Sequence, residues 1–523
     1  MGLLTRVFAP EQKPVRTKVV RNVLFSALQN VVVFPIPFLL IPFILGKVGI
    51  GDYGIYAVFM TVIGFTSLTD LGMFGTLTKH VAEYHASGDF VALKRLLDTG
   101  LMFYIFISLI IMAGLWVSTG HLLPALFRNM STPYLELRAL WVVMILTMGI
   151  NFLAAPFSSV VLGLQRMDLS SALGFVSVVS NAIFTVAFLS LGWHLRGLLY
   201  ANLAGALLGL ALLAGSAHKL LPEVSMNPFR FDRKEMKEIF SFSWRLYLSQ
   251  IGSVVQYQAE KVYLAWFVGV TAVGWYNIAN SAGQRARRVP ELLLSPLMPA
   301  ASELDARGSE EKLRELYYRS HKYLAFLSLP VVVLAAVLCR PFVNLWLGPQ
   351  LSIVAVPLAL LVLTNIVILM TGPGYLISIG LGELAPAVNA CIAMVVLNLV
   401  TSFFLIRFYG FPGAVMGTLL SSTFGTVLFT YLFHRCTGYP YKRLLTESYL
   451  KALSASLAGA AACFLINRRV HIGWGGLVLE VVVFGVVYLV ALILTRFFDG
   501  FDLDQAARLL PVFRPLKGVL SER

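Results

Sequence analysis

Long apolar runs dominate the chain, and glycine, proline and short charged clusters cut them into pieces. Most pieces reach about 20 residues, enough for an α-helix to cross the roughly 30 Å hydrocarbon layer of a membrane. The pattern predicts about fourteen such helices. The first seven cover roughly 22–45, 53–78, 96–118, 138–163, 170–191, 197–217 and 240–268. The second seven cover roughly 271–302, 320–339, 351–379, 385–406, 412–434, 449–466 and 475–497. Backbone that spans lipid must satisfy its own hydrogen bonds, so the fold class is an all-α membrane protein. An even number of spans returns the C-terminus to the side of the N-terminus.

The halves repeat one another. At an offset of about 220, Gly54, Tyr56, Glu83, Ala86, Gly88, Leu93 and Lys94 meet Gly274, Tyr276, Glu303, Ala306, Gly308, Leu313 and Arg314. At about 217, Pro156, Gly163 and Asn181 meet Pro373, Gly380 and Asn398. The expected organisation is a segment 1–21, an N-lobe of six helices over 22–217, a linker 218–239 and a C-lobe of six over 240–434. Two C-terminal helices over 435–497 and a basic tail 498–523 complete it. Six spans per lobe give both lobes one orientation, hence pseudo-symmetry about an axis along the membrane normal and a cavity between them.

Composition narrows the class further. Of 523 residues, 58% are apolar and 13% charged, and the mean hydropathy of +0.79 leaves no room for a sizeable soluble domain. The formal net charge of +15 would suggest nucleic acid in a soluble protein; here it reports cytoplasmic loops, and no nucleic-acid partner is expected. About 28 of the 41 Lys and Arg fall in inner segments, and about 8 (Lys47, Arg128, Arg138, Arg196, Arg340, Arg407, Arg468, Arg469) in outer ones. Arg6, Lys13, Arg16, Lys18 and Arg21 precede an apolar run with no small-residue cleavage site, so a retained signal anchor is expected, with both termini cytoplasmic. Cys339, Cys391, Cys436 and Cys463 lie far apart in mostly apolar surroundings and read as packing residues, not a disulfide framework or metal cluster.

Charge inside a span costs roughly 2.5–3.5 kcal/mol per residue, so it marks a wet cavity or a partner. The eighth span carries Arg285, Arg287, Arg288 and Glu291 beside Gly283, Pro290 and Pro296. Helical spacing puts Arg285 and Arg288 on one face and lets Arg287 reach Glu291 one turn on. Two readings stand: an anion-binding surface, which guanidinium forks suit, or a structural ion-pair network. In the seventh span Gln250, Ser253, Tyr257 and Lys261 recur at helical spacing, beside Gln256, Gln258 and Glu260; Lys261 either points into the cavity or pairs with Glu260. Asp70, in Thr69-Asp70-Leu71-Gly72, either binds a coupling proton or cation or pairs with a neighbouring base. Pro35, Pro37 and Pro42, after Gln29 and Asn30, and Pro290 in the second half, bend their helices, for a gate or for static packing. No phosphate-binding loop, Cys/His metal spacing or nucleophile elbow occurs, so no enzyme, cofactor or metal is expected. A polytopic glycosyltransferase or polymerase, the alternative from another class, would want a larger outer loop.

Several short motifs then acquire a common meaning. Leu45-Gly46 precedes Gly51-Asp52-Tyr53-Gly54-Ile55-Tyr56, followed by Thr69-Asp70-Leu71-Gly72 and Gly88-Asp89. The second half echoes them in Val268-Gly269, Gly274-Trp275-Tyr276 and Glu303 to Gly308. In order and spacing, over nearly the whole chain, these resemble the polysaccharide-transporter, Wzx-type flippase branch of the multidrug/oligosaccharidyl-lipid/polysaccharide exporter superfamily. The resemblance implies a flippase of the cytoplasmic membrane that moves a polyprenyl-diphosphate-linked oligosaccharide outward by alternating access, for surface polysaccharide. It implies the bilayer and that lipid as partners, H+ or Na+ as coupling ion, and other glycan-assembly proteins. Lys261, Arg285, Arg287 and Arg288 would then bind the diphosphate or an acidic sugar, with Asp70, Glu260 and Glu291 as coupling or structural acids. The nearest rival is a cation-coupled multidrug exporter of the same superfamily, which would want carboxylates where this chain has arginines. A lipid II flippase is closer still and would be expected to carry an arginine-rich first span.

Overall fold

The computed structural model describes residues 33, 35–127, 133–224, 258–294, 296–467 and 473–502, and single positions between 227 and 254. Gln29, Asn30, Gln250, Ser253, Gln256, Tyr257, Arg128, Arg468, Arg469, the segment 1–21 and most of the tail lie outside them. Among the described residues the regular structure is entirely helical. Eleven helices among the described residues are long and apolar enough to cross a membrane, against the fourteen expected of the chain. The difference has three causes. The first two spans run together as α1 (Pro35–Phe65), broken at Gly49, where φ is +79°. The seventh is described only from 258 on, as α8 (258–267). The eighth, α9 (Val270–Glu291), is helical but polar, because its second half carries the arginines.

The remaining elements of the first half are α2 (Met73–Ser87), α3 (Phe90–Val117), α4 (Thr119–Leu126), α5 (Tyr134–Gly163), α6 (Met167–Ser190) and α7 (His194–Leu220). After α9 come α10 (Leu297–Ala306), α11 (Glu310–Leu347), α12 (Ala355–Leu369), α13 (Gly372–Gly380), α14 (Ala385–Tyr409) and α15 (Phe411–Thr437). A π-helical turn (Leu444–Leu450) then leads into α16 (Lys451–Asn467), and α17 (Trp474–Leu494) follows. Contacts divide the chain into two compact units, Met1–Trp275 with Ile406–Phe411, and Tyr276–Leu405 with Pro412–Arg523.

Unit 1 packs Met73, Leu77 and Val81 of α2 against Leu93, Leu97 and Tyr104 of α3, Met148 and Phe152 of α5 and Ala217 of α7. Unit 2 holds one core of Tyr317, Ile377, Phe429 and Phe433 and another of Ala325, Ala455, Phe484 and Tyr488. Outside these cores large apolar side chains stay exposed, Val117 at 81% and Leu494 at 78% among them, as faces against lipid should.

The sequence repeat reappears as backbone geometry. Gly88 (φ +73°) closes α2 with Asp89 N–H donating to Tyr84 O, and Gly308 (φ +62°) closes α10 with Ser309 N–H donating to Leu304 O. Each is a helix stop that needs a left-handed residue. Gly49 and Gly269, also at positive φ, stand at the same offset of about 220. Close crossings repeat too. A Cβ on Gly163 would stand 2.8 Å from Thr78 O and 2.7 Å from Val81, and one on Gly380 would stand 3.1 Å from Met298 O and 2.9 Å from Ala301. Thr78 and Val81 are the repeat partners of Met298 and Ala301. Within unit 1, Gly54 faces the backbone of Val270 while Gly274 faces Ile50, a reciprocal crossing of α1 and the start of α9. Small residues at such points let membrane helices approach backbone to backbone.

Candidate functional site

The second span does not run straight through. After α1 the chain tightens into a 3₁₀ turn (Thr66–Asp70), passes two left-handed residues, Leu71 (φ +51°) and Gly72 (φ +75°), and restarts as α2. Asp70 sits at this break. Its Oδ2 accepts from the backbone N–H of Phe74 at 3.3 Å, an orphan donor of the new helix, and its Oδ1 accepts from the hydroxyl of buried Tyr104. The partners of Asp70 are thus a phenol and a backbone amide rather than the neighbouring base weighed from sequence. Tyr104 was not singled out there, because 34 residues separate the pair.

Lys261 lies half-buried on α8, and its Nζ donates to Gln258 Oε1 at 3.3 Å, one turn back. Glu260 is fully buried beside it. The Gln258 amide lies where a Cβ on Gly64 would stand, so this glycine near the end of α1 makes room for it. Lys261, Glu260 and Asp70 belong to unit 1.

The arginines belong to unit 2. Arg287 Nη2 donates to Glu291 Oε1 at 3.0 Å, the i,i+4 pair expected. Half-buried Arg285 donates from Nη1 to Ser281 O at 3.0 Å, and Arg288 is exposed. The rest of α9 explains the division. Tyr276 and Asn280 are buried, Tyr276 bonds Thr418 of α15 at 3.3 Å, and a Cβ on Gly283 would stand 2.9 Å from Leu361 O of α12. At 3.6 residues per turn, Tyr276, Asn280, Gly283 and Arg287 form one stripe, and Arg285 and Arg288 lie about 120–180° away from it. The two arginines thus lie away from the Tyr276–Gly283 stripe, Arg288 exposed and Arg285 half-buried, although Ile278 and Ala282 on the side of Arg285 are buried as well. Pro290 is buried in the last turn, after which the chain passes through a 3₁₀ turn (Leu292–Leu294) into α10. Pro35 and Pro37 lie in helical backbone near the start of the described part of α1, and Pro42 lies within it.

A second charged assembly, which the sequence did not single out, ties α11 to the chain beyond α17. Lys322 Nζ donates to Asp502 Oδ2 at 2.5 Å and to Asp499 Oδ2 at 3.4 Å, and Arg319 pairs with Glu315, Asp499 and Asp502. Burial works to raise the Asp499 carboxyl, but the Asp502 backbone N–H, Lys322 and Arg319 outweigh it and hold it below the usual carboxylate value.

With the geometry described, likeness to known proteins becomes informative. A family described as polysaccharide biosynthesis protein matches residues 19–305, more than half of the chain. The chain belongs to that family. The uncharacterized membrane protein MJ1068 of Methanocaldococcus jannaschii is 22% identical over 288 residues, 53% of this chain and 56% of that one, so the match spans little more than half of that relative. The probable flippase AglR of Haloferax volcanii is 21% identical, over 74% of this chain and 77% of its own. In fold, the chain resembles the lipid II flippase MurJ in an inward closed conformation, with a TM-score of 0.71 at 14% identity, covering 90% of this chain and 99% of that one. It also resembles an inward-facing multidrug resistance MATE family transporter of the MOP superfamily, with a TM-score of 0.63 at 14% identity, covering 77% and 94%. The chain is a multi-pass membrane protein that shares the fold of these two structures.

Proposed function

We propose that this protein is a flippase that carries a polyprenyl-diphosphate-linked oligosaccharide from the inner to the outer leaflet of the cytoplasmic membrane by alternating access, for surface polysaccharide. The observation that carries the reading is α9, whose last turns carry half-buried Arg285 and exposed Arg288 away from the stripe packed through Tyr276, Asn280 and Gly283. Guanidinium groups hold their charge at any physiological pH and bond phosphate oxygens in pairs, so this face suits a diphosphate. Arg287 is committed to Glu291 rather than to the ligand, and Lys261, bonded to Gln258 within unit 1, is a separate candidate cation.

Family membership and the flippase named among the relatives support the same reading. Asp70, at a helix break with one hydroxyl and one amide on it, is the acid best placed to take a coupling H+ or Na+. The positive-inside count supports cytoplasmic termini. The chain acts as a transporter and not as an enzyme, alongside other glycan-assembly proteins.

The test is transport by the purified chain in vesicles, offered either a lipid-diphosphate oligosaccharide or a cationic dye. Movement of the lipid-linked glycan and no dye extrusion is the expected result. Dye extrusion without glycan movement overturns the proposal in favour of a multidrug exporter.

A further inference from the structure

Unit 1 contains a cavity of about 590 Å³ that the reading above leaves unused. It opens at the end of the unit that carries Lys47, Glu136 and Arg196, which the charge asymmetry assigns to the outer surface. Three chain features build it. Asp52 follows the Gly49 break in α1, in a motif to which no role has been attached. Glu136 lies in the first turn of α5. Trp193 and His194 follow Gly192, whose φ of +80° turns the chain into α7.

The polar groups of the wall are held in place. Arg196 Nε donates to Glu136 Oε1 at 2.9 Å. His194 Nδ1 lies 2.9 Å from Lys47 O, and a carbonyl can only accept, so Nδ1 carries the hydrogen and the ring is held in place. Among the described residues no hydrogen bond or ion pair engages the Asp52 carboxylate. Phe188 stacks on one face of the Trp193 indole, with centroids 4.9 Å apart at 18°, Tyr200 meets it edge-on at 5.9 Å, and 44% of Trp193 stays exposed.

The chemistry is that of sugar recognition. The C–H face of a pyranose ring is apolar and lies on an aromatic face, while neighbouring hydroxyls donate to carboxylates and accept from a guanidinium. Two carboxylates stand against one guanidinium, and Arg196 is already paired with Glu136, so the wall offers acceptors for sugar hydroxyls rather than the cationic face a diphosphate needs. The volume lies within the roughly 300–1,000 Å³ of small-molecule sites. We infer that this cavity, lined by Asp52, Glu136, Trp193, His194, Arg196 and Tyr200, is a glycan subsite at the outer end of unit 1 that binds the distal sugars of the cargo. The inference rests on the flippase reading and deepens it: α9 takes the diphosphate, and this cavity takes sugars remote from it.

The experiment compares two cargoes in reconstituted vesicles, the polyprenyl-diphosphate-linked oligosaccharide and the same carrier bearing a single sugar. It uses the native chain and Trp193→Ala, Trp193→Phe, Asp52→Asn and Glu136→Gln at equal incorporation. The expected result is that Trp193→Ala and Asp52→Asn lower the rate ratio of long to short cargo on the order of ten-fold, while Trp193→Phe, which keeps an aromatic face, retains most of it. An unchanged ratio, or equal loss of both cargoes in every variant, overturns the subsite and leaves Trp193 an interfacial anchor. If the native chain moves neither cargo, the flippase reading fails and takes this one with it. Extrusion of a cationic dye that depends on Asp52 and Glu136 would make the cavity a site for organic cations and overturn the sugar assignment.

Discussion

Two glycines one repeat apart offer a quantitative check on the duplicated architecture. At Gly163 a methyl group would stand 2.8 Å from the carbonyl of Thr78 and 2.7 Å from Val81; at Gly380 it would stand 3.1 Å from the carbonyl of Met298 and 2.9 Å from Ala301. A backbone carbonyl in a packed helix has little freedom to move aside, so Gly163→Ala and Gly380→Ala each force their helices apart. Overpacking of this kind costs about 1–3 kcal/mol. Alanine's preference for a helix over glycine returns at most about 1 kcal/mol. Gly114, on α3, and Gly485, on α17, have nothing within 4 Å, so alanine there gains the preference without the clash. The assay is thermal unfolding of the detergent-solubilised chain. Gly163→Ala and Gly380→Ala should both lower the midpoint by several degrees, at ~2–4 °C per kcal/mol for units of this size, with the larger drop at Gly163. Gly114→Ala and Gly485→Ala should hold or raise it. If Gly380→Ala behaves like Gly485→Ala while Gly163→Ala does not, the two crossings are not equivalent and the repeat is not structural at this point.

Other expectations follow from single contacts. Tyr104→Phe strips a hydroxyl from Asp70 and should cost about 1.5–3 kcal/mol, as hydrogen bonds to charged groups do; a midpoint equal to the native one would mean that the phenol does not hold the acid. Glu291→Gln releases Arg287 from its pair and should leave translocation within about two-fold, whereas Arg288→Ala should lower it by an order of magnitude or more, and the reverse ranking would mean that transport depends on the Arg287–Glu291 pair and not on Arg288. The Asp499 carboxyl is held below its ordinary value of 3.8, so its contribution to stability is fully present above that value and is lost as pH falls through the lower folded one. Melting curves below about pH 4 should accordingly fall less steeply for Asp499→Asn than for the native chain, and parallel curves would mean that the Lys322–Arg319 clasp does not depend on this charge.

Much of the architecture was legible because hydropathy and glycine placement act locally. The apolar runs predicted helices, and Gly88 and Gly308, matched in the sequence only as repeat positions, are left-handed helix stops in both halves. Arg287 and Glu291 could be paired from spacing alone because one helical turn separates them. What escaped was non-local or invisible to hydropathy. The segment Thr66–Gly72 interrupts the apolar run with Thr66, Ser67, Thr69, Asp70 and Gly72, yet the predicted span runs straight through it, and Asp70 finds Tyr104 only because α2 and α3 pack together. The expectation of a helical stripe through Lys261 fell largely on residues outside those described, and the partner seen, Gln258, was only one of several polar neighbours in the sequence. The clasp between α11 and residues 499–502 joins positions some 180 residues apart, beyond any local pattern.

Arg285 and Arg288 of α9 are proposed to handle the anionic end of a lipid-linked glycan. The most direct measurement is leaflet translocation of a lipid-diphosphate oligosaccharide in vesicles, comparing the native chain with Arg285→Ala and Arg288→Ala at equal incorporation and equal thermal stability. Translocation by the native chain that falls at least about ten-fold in each variant is the result predicted. Translocation undiminished in both variants would show that the diphosphate binds elsewhere and contradict the assignment of α9.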